Sequence, residues 1–290
     1  MIARLLITGL VAAAAALPQP VRVYSEFQRI DPFGKVLAAD RAERPREILS
    51  PALARGAWAS FWVVVEPPAG QPHWIFIGQN PENFLKVVMY RPVFERRGES
   101  WVPDALEKVD MDEVGRVPPV LPQVSGQTAI VLWMDVWVPA DAPVRRTRLE
   151  VQLKSGEDWV IYPMEMRIHE AVIPAPLGPS APLASVDAPA SETAAAAFRA
   201  YACKAAPARG SADAPTSVRA AIRRNARQDA ALARSLEGTS KDALVEDLAR
   251  WAGFAGIPAF CGGGPPPRPE RGAEWYLPIR DRLYRTASLR

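Results

Sequence analysis

The chain has 290 residues, 49% hydrophobic and 23% charged, which suits an ordinary globular protein and is enough for two modest domains with real cores. Thirty prolines, about twice the usual share, argue against a large helical body and for many short strands, turns and linkers. The net charge of +3 is uneven: residues 1–191 hold 19 Lys and Arg against 22 Asp and Glu, whereas residues 192–290 hold 16 against 10.

Residues 1–16 read as a signal peptide. Arg4 supplies the positive start, Leu5 to Leu17 is a short apolar run, and Ala14-Ala15-Ala16 offers a small-residue cleavage site. That run is shorter than the roughly 20 residues needed to cross a bilayer, and no cysteine follows it for lipid attachment. The expectation is a secreted or periplasmic protein that does not span the membrane once the signal is removed.

Residues 17–173 carry a β pattern. "VRVYSEFQRI", "GKVLAA", "AWASFWVVVEPP", "HWIFIG", "LKVVMYRPVFERR", "TAIVLWMDVWVP", "TRLEVQLKSG" and "DWVIYPMEMRIHE" are rich in β-branched and aromatic residues, and Gly, Pro, Asn and Asp turn signals divide them. Seven to nine short strands without intervening amphipathic helices predict an antiparallel β-sandwich. Residues Val102 to Gln123, acidic and then proline-rich, are expected to form a long loop.

Two strands alternate in a distinctive way. Trp58, Ser60 and Trp62 share one parity, opposite Ala59, Phe61 and Val63; Trp133, Asp135 and Trp137 share one parity, opposite Leu132, Met134 and Val136. Each strand therefore has an aliphatic face and a Trp–polar–Trp face, and Trp74 and Phe76 share a parity on a third. Such a face is either a ligand platform around Asp135 or a wall covered by other protein, since a tryptophan patch rarely stays bare on a secreted monomer.

The stretch "LWMDVWVPADAPVRRTRLEVQL", Leu132 to Leu153, resembles the final strand pairs of immunoglobulin-like modules in secreted bacterial proteins, including accessory modules of carbohydrate-active enzymes. In those, a strand ending in Val-Pro leads through an acidic-Ala-Pro turn to Gly, Tyr and an alternating strand. Here Arg145 or Arg146 stands in place of the Gly, and Arg148 near the Tyr. The resemblance covers about 22 residues and implies an immunoglobulin-like fold, not a ligand.

Residues 174–191, rich in Pro and Ala, read as an extended linker that cannot bury a core. Residues 192–290 turn helical and basic. "SETAAAAFRAYACKA", "TSVRAAIRRNARQDAALARSL" and "TSKDALVEDLARWAGF" predict three helices, the last with Thr239 and Asp242 as a capping box, and "WYLPIRDRLYR" is expected as an aromatic-basic tail. Cys203 and Cys261 are the two cysteines, and in an oxidising compartment they are most simply a disulfide stapling this small module. On the chain-entropy model such a closure stabilises by about 4 kcal/mol. Arg219, Arg223 and Arg227 recur every four residues and would form a basic helix face, suited to envelope phosphates, acidic polysaccharide or an acidic protein. Secretion argues against nucleic acid as its partner.

Catalytic signatures are absent from the sequence. His73 and His169, the two histidines, lie in no metal-ligand spacing, and no nucleophile elbow, P-loop or dinucleotide fingerprint occurs. Asp110, Asp112 and Glu113, the pair Glu157 and Asp158, and Asp135 are the carboxylates weighed for glycosidase or Ca²⁺ chemistry. The solvated acidic loop is the simpler reading of the first cluster. No catalytic residue, metal or cofactor is assigned. The expected role is non-catalytic, as a binding or structural protein of the cell envelope acting through protein–protein contact. The alternative is a carbohydrate-binding accessory module using Trp58, Trp62, Trp133, Asp135 and Trp137.

Overall fold

In the computed structural model, residues 19–38, 48–174, 217–236 and 276–288 are described. Ten strands run in chain order: β1 Val21–Ser25, β2 Ala52–Arg55, β3 Ala57–Val65, β4 His73–Asn80, β5 Lys86–Arg97, β6 Ser100–Val109, β7 Arg116–Val117, β8 Ile130–Val138, β9 Arg146–Ser155 and β10 Asp158–Val172. Among the described residues two helices follow, α1 Val218–Leu236 and α2 Tyr276–Ala287. The first sheet has the order β1-β3-β8-β5-β6 and the second β2-β10-β9-β4-β7.

The aliphatic parities of both sheets meet in one cluster. Phe61, Val63, Leu132, Met134 and Val136 from the first sheet are buried in it with Ile75, Leu149, Val151, Leu153 and Met164 from the second. Side chains two apart point the same way along a strand, so alternation alone sends these residues into one interior.

The first sheet is antiparallel throughout, as expected. The second departs from the expectation: β2 lies parallel to β10, pairing Ala52 with Arg167 and Leu53 with Ile168. Gly56 makes this possible. With φ +64 it turns the chain from β2 directly into β3, and its N–H donates to the Val138 carbonyl at 2.8 Å. A side chain at that φ would be strained, so the four-residue β2 reaches one sheet while β3 begins in the other.

The expected loop at Val102 to Gln123 is also corrected, because β6 and β7 lie there. β6 carries Pro103, Asp104, Glu107 and Lys108 because it is an edge strand, where proline and charge are tolerated. β7 is placed by Asp112, whose Oδ1 accepts the Val114 and Arg116 N–H groups at 3.1 and 2.8 Å, and whose Oδ2 accepts Arg116 Nε at 2.9 Å. These bonds, the Arg116 N–H foremost, hold the Asp112 carboxyl below the usual carboxylate range. Gly115 at φ +78 completes the turn, its carbonyl accepting the Ile77 N–H at 2.9 Å.

Of the expected helices, the second is α1. The first and third, with Cys203 and Cys261, lie outside the described residues, as do residues 1–16 and 175–216. The expected tail at Trp275 to Arg285 is corrected: from Tyr276 it is helical, because Leu277, Arg280, Leu283 and Tyr284 recur at helical spacing on a side packed against other elements.

Both helices lie on the sheets. Val218, Ala221 and Ile222 of α1 join a second cluster with Trp62, Trp133, Tyr24, Tyr90 and Phe94. Leu232 of α1 and Leu283 and Tyr284 of α2 join a third with Ala54, Ala57 and Ala171. A bridge between Ala105 of β6 and Ser217 sets where α1 begins.

Candidate functional site

The two Trp–polar–Trp strands are direct antiparallel neighbours. Trp58 pairs with Trp137, Ser60 with Asp135 and Trp62 with Trp133, which makes a three-rung ladder on the outer face of the first sheet. The rings of Trp62 and Trp133 meet edge to face at 4.8 Å and 84°, and those of Trp58 and Trp137 at 5.3 Å and 51°. The five residues weighed as a ligand platform are thus brought together.

Helix α1 covers the ladder. Trp62, Trp133, Ser60 and Asp135 are fully buried, and Trp58 and Trp137 are partly so. Asp135 Oδ1 accepts Ser60 Oγ at 2.6 Å and Trp133 Nε1 at 2.8 Å, while Arg224 Nη1 donates to Oδ2 at 3.0 Å. Asn225 Nδ2 donates to Ser60 Oγ at 2.8 Å, and Gln228 Oε1 accepts the Trp58 backbone N–H at 2.6 Å. The Arg224 guanidinium also stacks over the Trp58 ring at 4.5 Å. A buried carboxylate needs both a counter-charge and hydrogen-bond donors, and Asp135 has both. Burial, reinforced by the Asp135 charge, pushes the neighbouring Tyr90 phenol up to about 12.

Arg219, Arg223 and Arg227 fall on α1, but their side chains lie outside those described; the residue that reaches Asp135 is Arg224. The overlooked signal was Asn225 and Asp229, two polar residues inside the stripe of Val218, Ala221, Ile222 and Leu232. A polar pair in an apolar stripe marks a buried network. Asp229 accepts Arg280 Nε at 2.9 Å and Tyr284 Oη at 2.5 Å, and Arg280 Nη2 donates to Glu26 Oε1 at 2.7 Å.

Among the described residues, the outer face of the second sheet is open along β4, β9 and the first half of β10. Three rungs cross it from β4 through β9 to β10: Trp74, Lys154 and Trp159; Phe76, Gln152 and Ile161; Gly78, Glu150 and Pro163. Trp74 is 39% exposed and Trp159 and Ile161 each 49%. The Phe76 and Trp159 rings lie 5.5 Å apart, and Lys154 Nζ sits 5.5 Å from the Trp159 centroid. Gln152 Nε2 donates to Glu150 Oε2 at 2.8 Å. Apolar rings flank a polar central strand. Of this face, Trp74 and Phe76 had been noted in the sequence; Trp159 had not.

The other candidates are dispersed. Asp110 pairs with Lys108, and Asp112 is engaged in its turn. His169 packs at the α2 contact, 3.3 Å from Asp281, and His73 lies exposed at the start of β4. No group of three or more metal-ligating side chains forms among the described residues, and none of the described helices is long and apolar enough to cross a membrane.

No family model matches the chain, and no curated protein matches it. Among solved structures, it is similar to a family 123 glycoside hydrolase from Clostridium perfringens, at 9% identity and TM-score 0.36, over 54% of this chain and 28% of that one. It is similar also to the C-terminal domain of the AgI/II polypeptide BspA of Streptococcus agalactiae, at 12% identity and TM-score 0.27, over 51% of this chain and 48% of that one. A third likeness is AvmM, which catalyses macrocyclization in alchivemycin A biosynthesis, at 11% identity and TM-score 0.20, over 41% of this chain and 83% of that one. The chain spans less than half of the first two. All three TM-scores lie below 0.5, and none of these likenesses carries an argument about this chain.

Proposed function

We propose that the chain is a non-catalytic binding protein that works outside the cytoplasm, at the cell envelope, through the open outer face of its second sheet. The observation that carries this reading is the exposed trio Trp74, Trp159 and Ile161 on neighbouring strands around Gln152 and Lys154. Large apolar side chains gathered on one exposed face mark interaction sites. The covered ladder on the first sheet has the opposite character, its carboxylate and hydroxyl being answered by α1, and in this reading it is structural.

Two sheets sharing one interior support the β-sandwich with an immunoglobulin-like character, and the leader-like residues 1–16 support export. In an exported chain Cys203 and Cys261 form a disulfide; a mass 2 Da higher after reduction, read on the intact protein, is expected, and an unchanged mass would refute the pairing.

The binding reading is tested with immobilised full-length protein exposed to extracted envelope material, polysaccharides and proteins alike. Wild type retains a component, and the Trp74→Ala/Trp159→Ala double variant loses it while keeping its melting midpoint. Equal retention by both forms refutes the role of this face.

A further inference from the structure

We propose that the outer face of the second sheet takes a neutral hexopyranose polysaccharide, laid across β4, β9 and β10; this rests on the binding reading above and names its ligand class. A pyranose ring is apolar on its C–H faces and carries hydrogen-bond donors and acceptors around its rim. The face has the matching halves. Trp74 and Trp159 flank the central strand on either side, their backbones about 10 Å apart across two strand spacings. Between them β9 presents Lys154, Gln152 and Glu150 in succession along one side.

That polar strand decides between classes of ligand. A protein docking here would cover Lys154, Gln152 and Glu150 with its own apolar core, and buried polar groups without partners are costly. Protein interfaces are depleted in Lys and Glu at their centres for this reason. Saccharide hydroxyls instead donate to the carboxylate and accept from the ammonium. Gln152 and Glu150 are already fixed on each other at 2.8 Å, which leaves one oxygen of each to receive a ligand hydroxyl. Gly78, opposite Glu150, keeps the approach from β4 shallow: a Cβ there would stand 3.0 Å from Gln152 Nε2. Between the aromatic rungs the Lys154 and Glu150 charges offset each other, while Arg148, next on that side of β9, lies one rung beyond Gly78 and Pro163, so the stretch between the rings suits an uncharged chain.

Native affinity electrophoresis of the full-length protein tests this, with gels containing barley β-glucan, xyloglucan, galactomannan, yeast mannan or soluble starch, and alginate as an acidic comparison. At least one neutral polymer should retard the wild type. Trp74→Ala and Trp159→Ala should each weaken the retardation at least tenfold, and Gln152→Ala several-fold, with thermal midpoints kept. Absence of retardation in all five neutral gels, or retardation by alginate alone, would overturn the proposal. If the neutral polymers fail while the two tryptophan variants still abolish capture of an envelope protein, the sugar assignment falls and the binding face stands. If neither assay responds to the variants, both fall.

Discussion

Asp135 is an acidic side chain at the centre of a five-stranded sheet, and its neighbours explain why it is tolerated there. Ser60 and Trp133 supply two hydrogen bonds from the sheet, and Arg224 supplies the counter-charge from α1. Removing one partner of a buried pair costs more than replacing both, because the remaining charge is stranded. Arg224→Met should therefore lower the unfolding free energy by about 3–5 kcal/mol. Adding Asp135→Asn to it should recover a large part of that loss, read by chemical denaturation; a double variant less stable than Arg224→Met alone would refute the pairing. The alternation that carries Asp135 was plain in the sequence, as was its flanking by tryptophans. Its partner was not, since the contact joins residues 89 positions apart and nothing local marks Arg224 over the arginines beside it.

At the scale of elements, strands with period-two alternation were legible because one periodicity serves both local geometry and burial. β6 and β7 were not: an edge strand needs no apolar face, so its composition reads as loop. The open face of the second sheet stayed hidden for a related reason, because which strands neighbour β4 is a matter of topology. α2 was hidden by its short length and by Pro278 near its start, although proline is tolerated in a first helical turn. That helix is held to β10 by Asp281, which accepts Arg167 Nη1 at 2.9 Å and sits 3.3 Å from His169 Nε2. Burial lowers the His169 pKa from its ordinary 6.5, with Asp281 opposing and Arg167 adding to the shift. Below about 6.5 the unfolded chain takes up this proton more readily than the folded one, so His169 favours folding above that pH and opposes it progressively as pH falls. His169→Gln should therefore flatten the stability profile as pH falls below about 6.5, relative to wild type; parallel profiles from urea melts would refute this.

Across the whole molecule, the mainly β character of the described residues up to 174 and the helix over Val218–Leu236 were both readable from periodicity. That the two would share cores was not, because linker composition speaks of its own inability to bury a core and says nothing of what its ends touch. Val218, Ala221 and Ile222 lie in one cluster with Trp62 and Trp133. A chain ended at Ile173 should accordingly expose the tryptophan ladder, bind a hydrophobic dye and aggregate, whereas the full chain stays dispersed; a dispersed, dye-free fragment in light scattering would refute this.

The hydrogen bond from Asn225 to Ser60 spans 165 residues, which gives the molecule an order in time. At a ribosomal pace of about 5–20 residues per second, on the order of ten seconds or more separate the appearance of Ser60 from that of the helix that covers it. For that interval β3, and later β8, hold their tryptophans without a cover. The contact that completes the first sheet is among the last to become available, so a nascent chain needs either delayed folding or temporary shelter until α1 has been made.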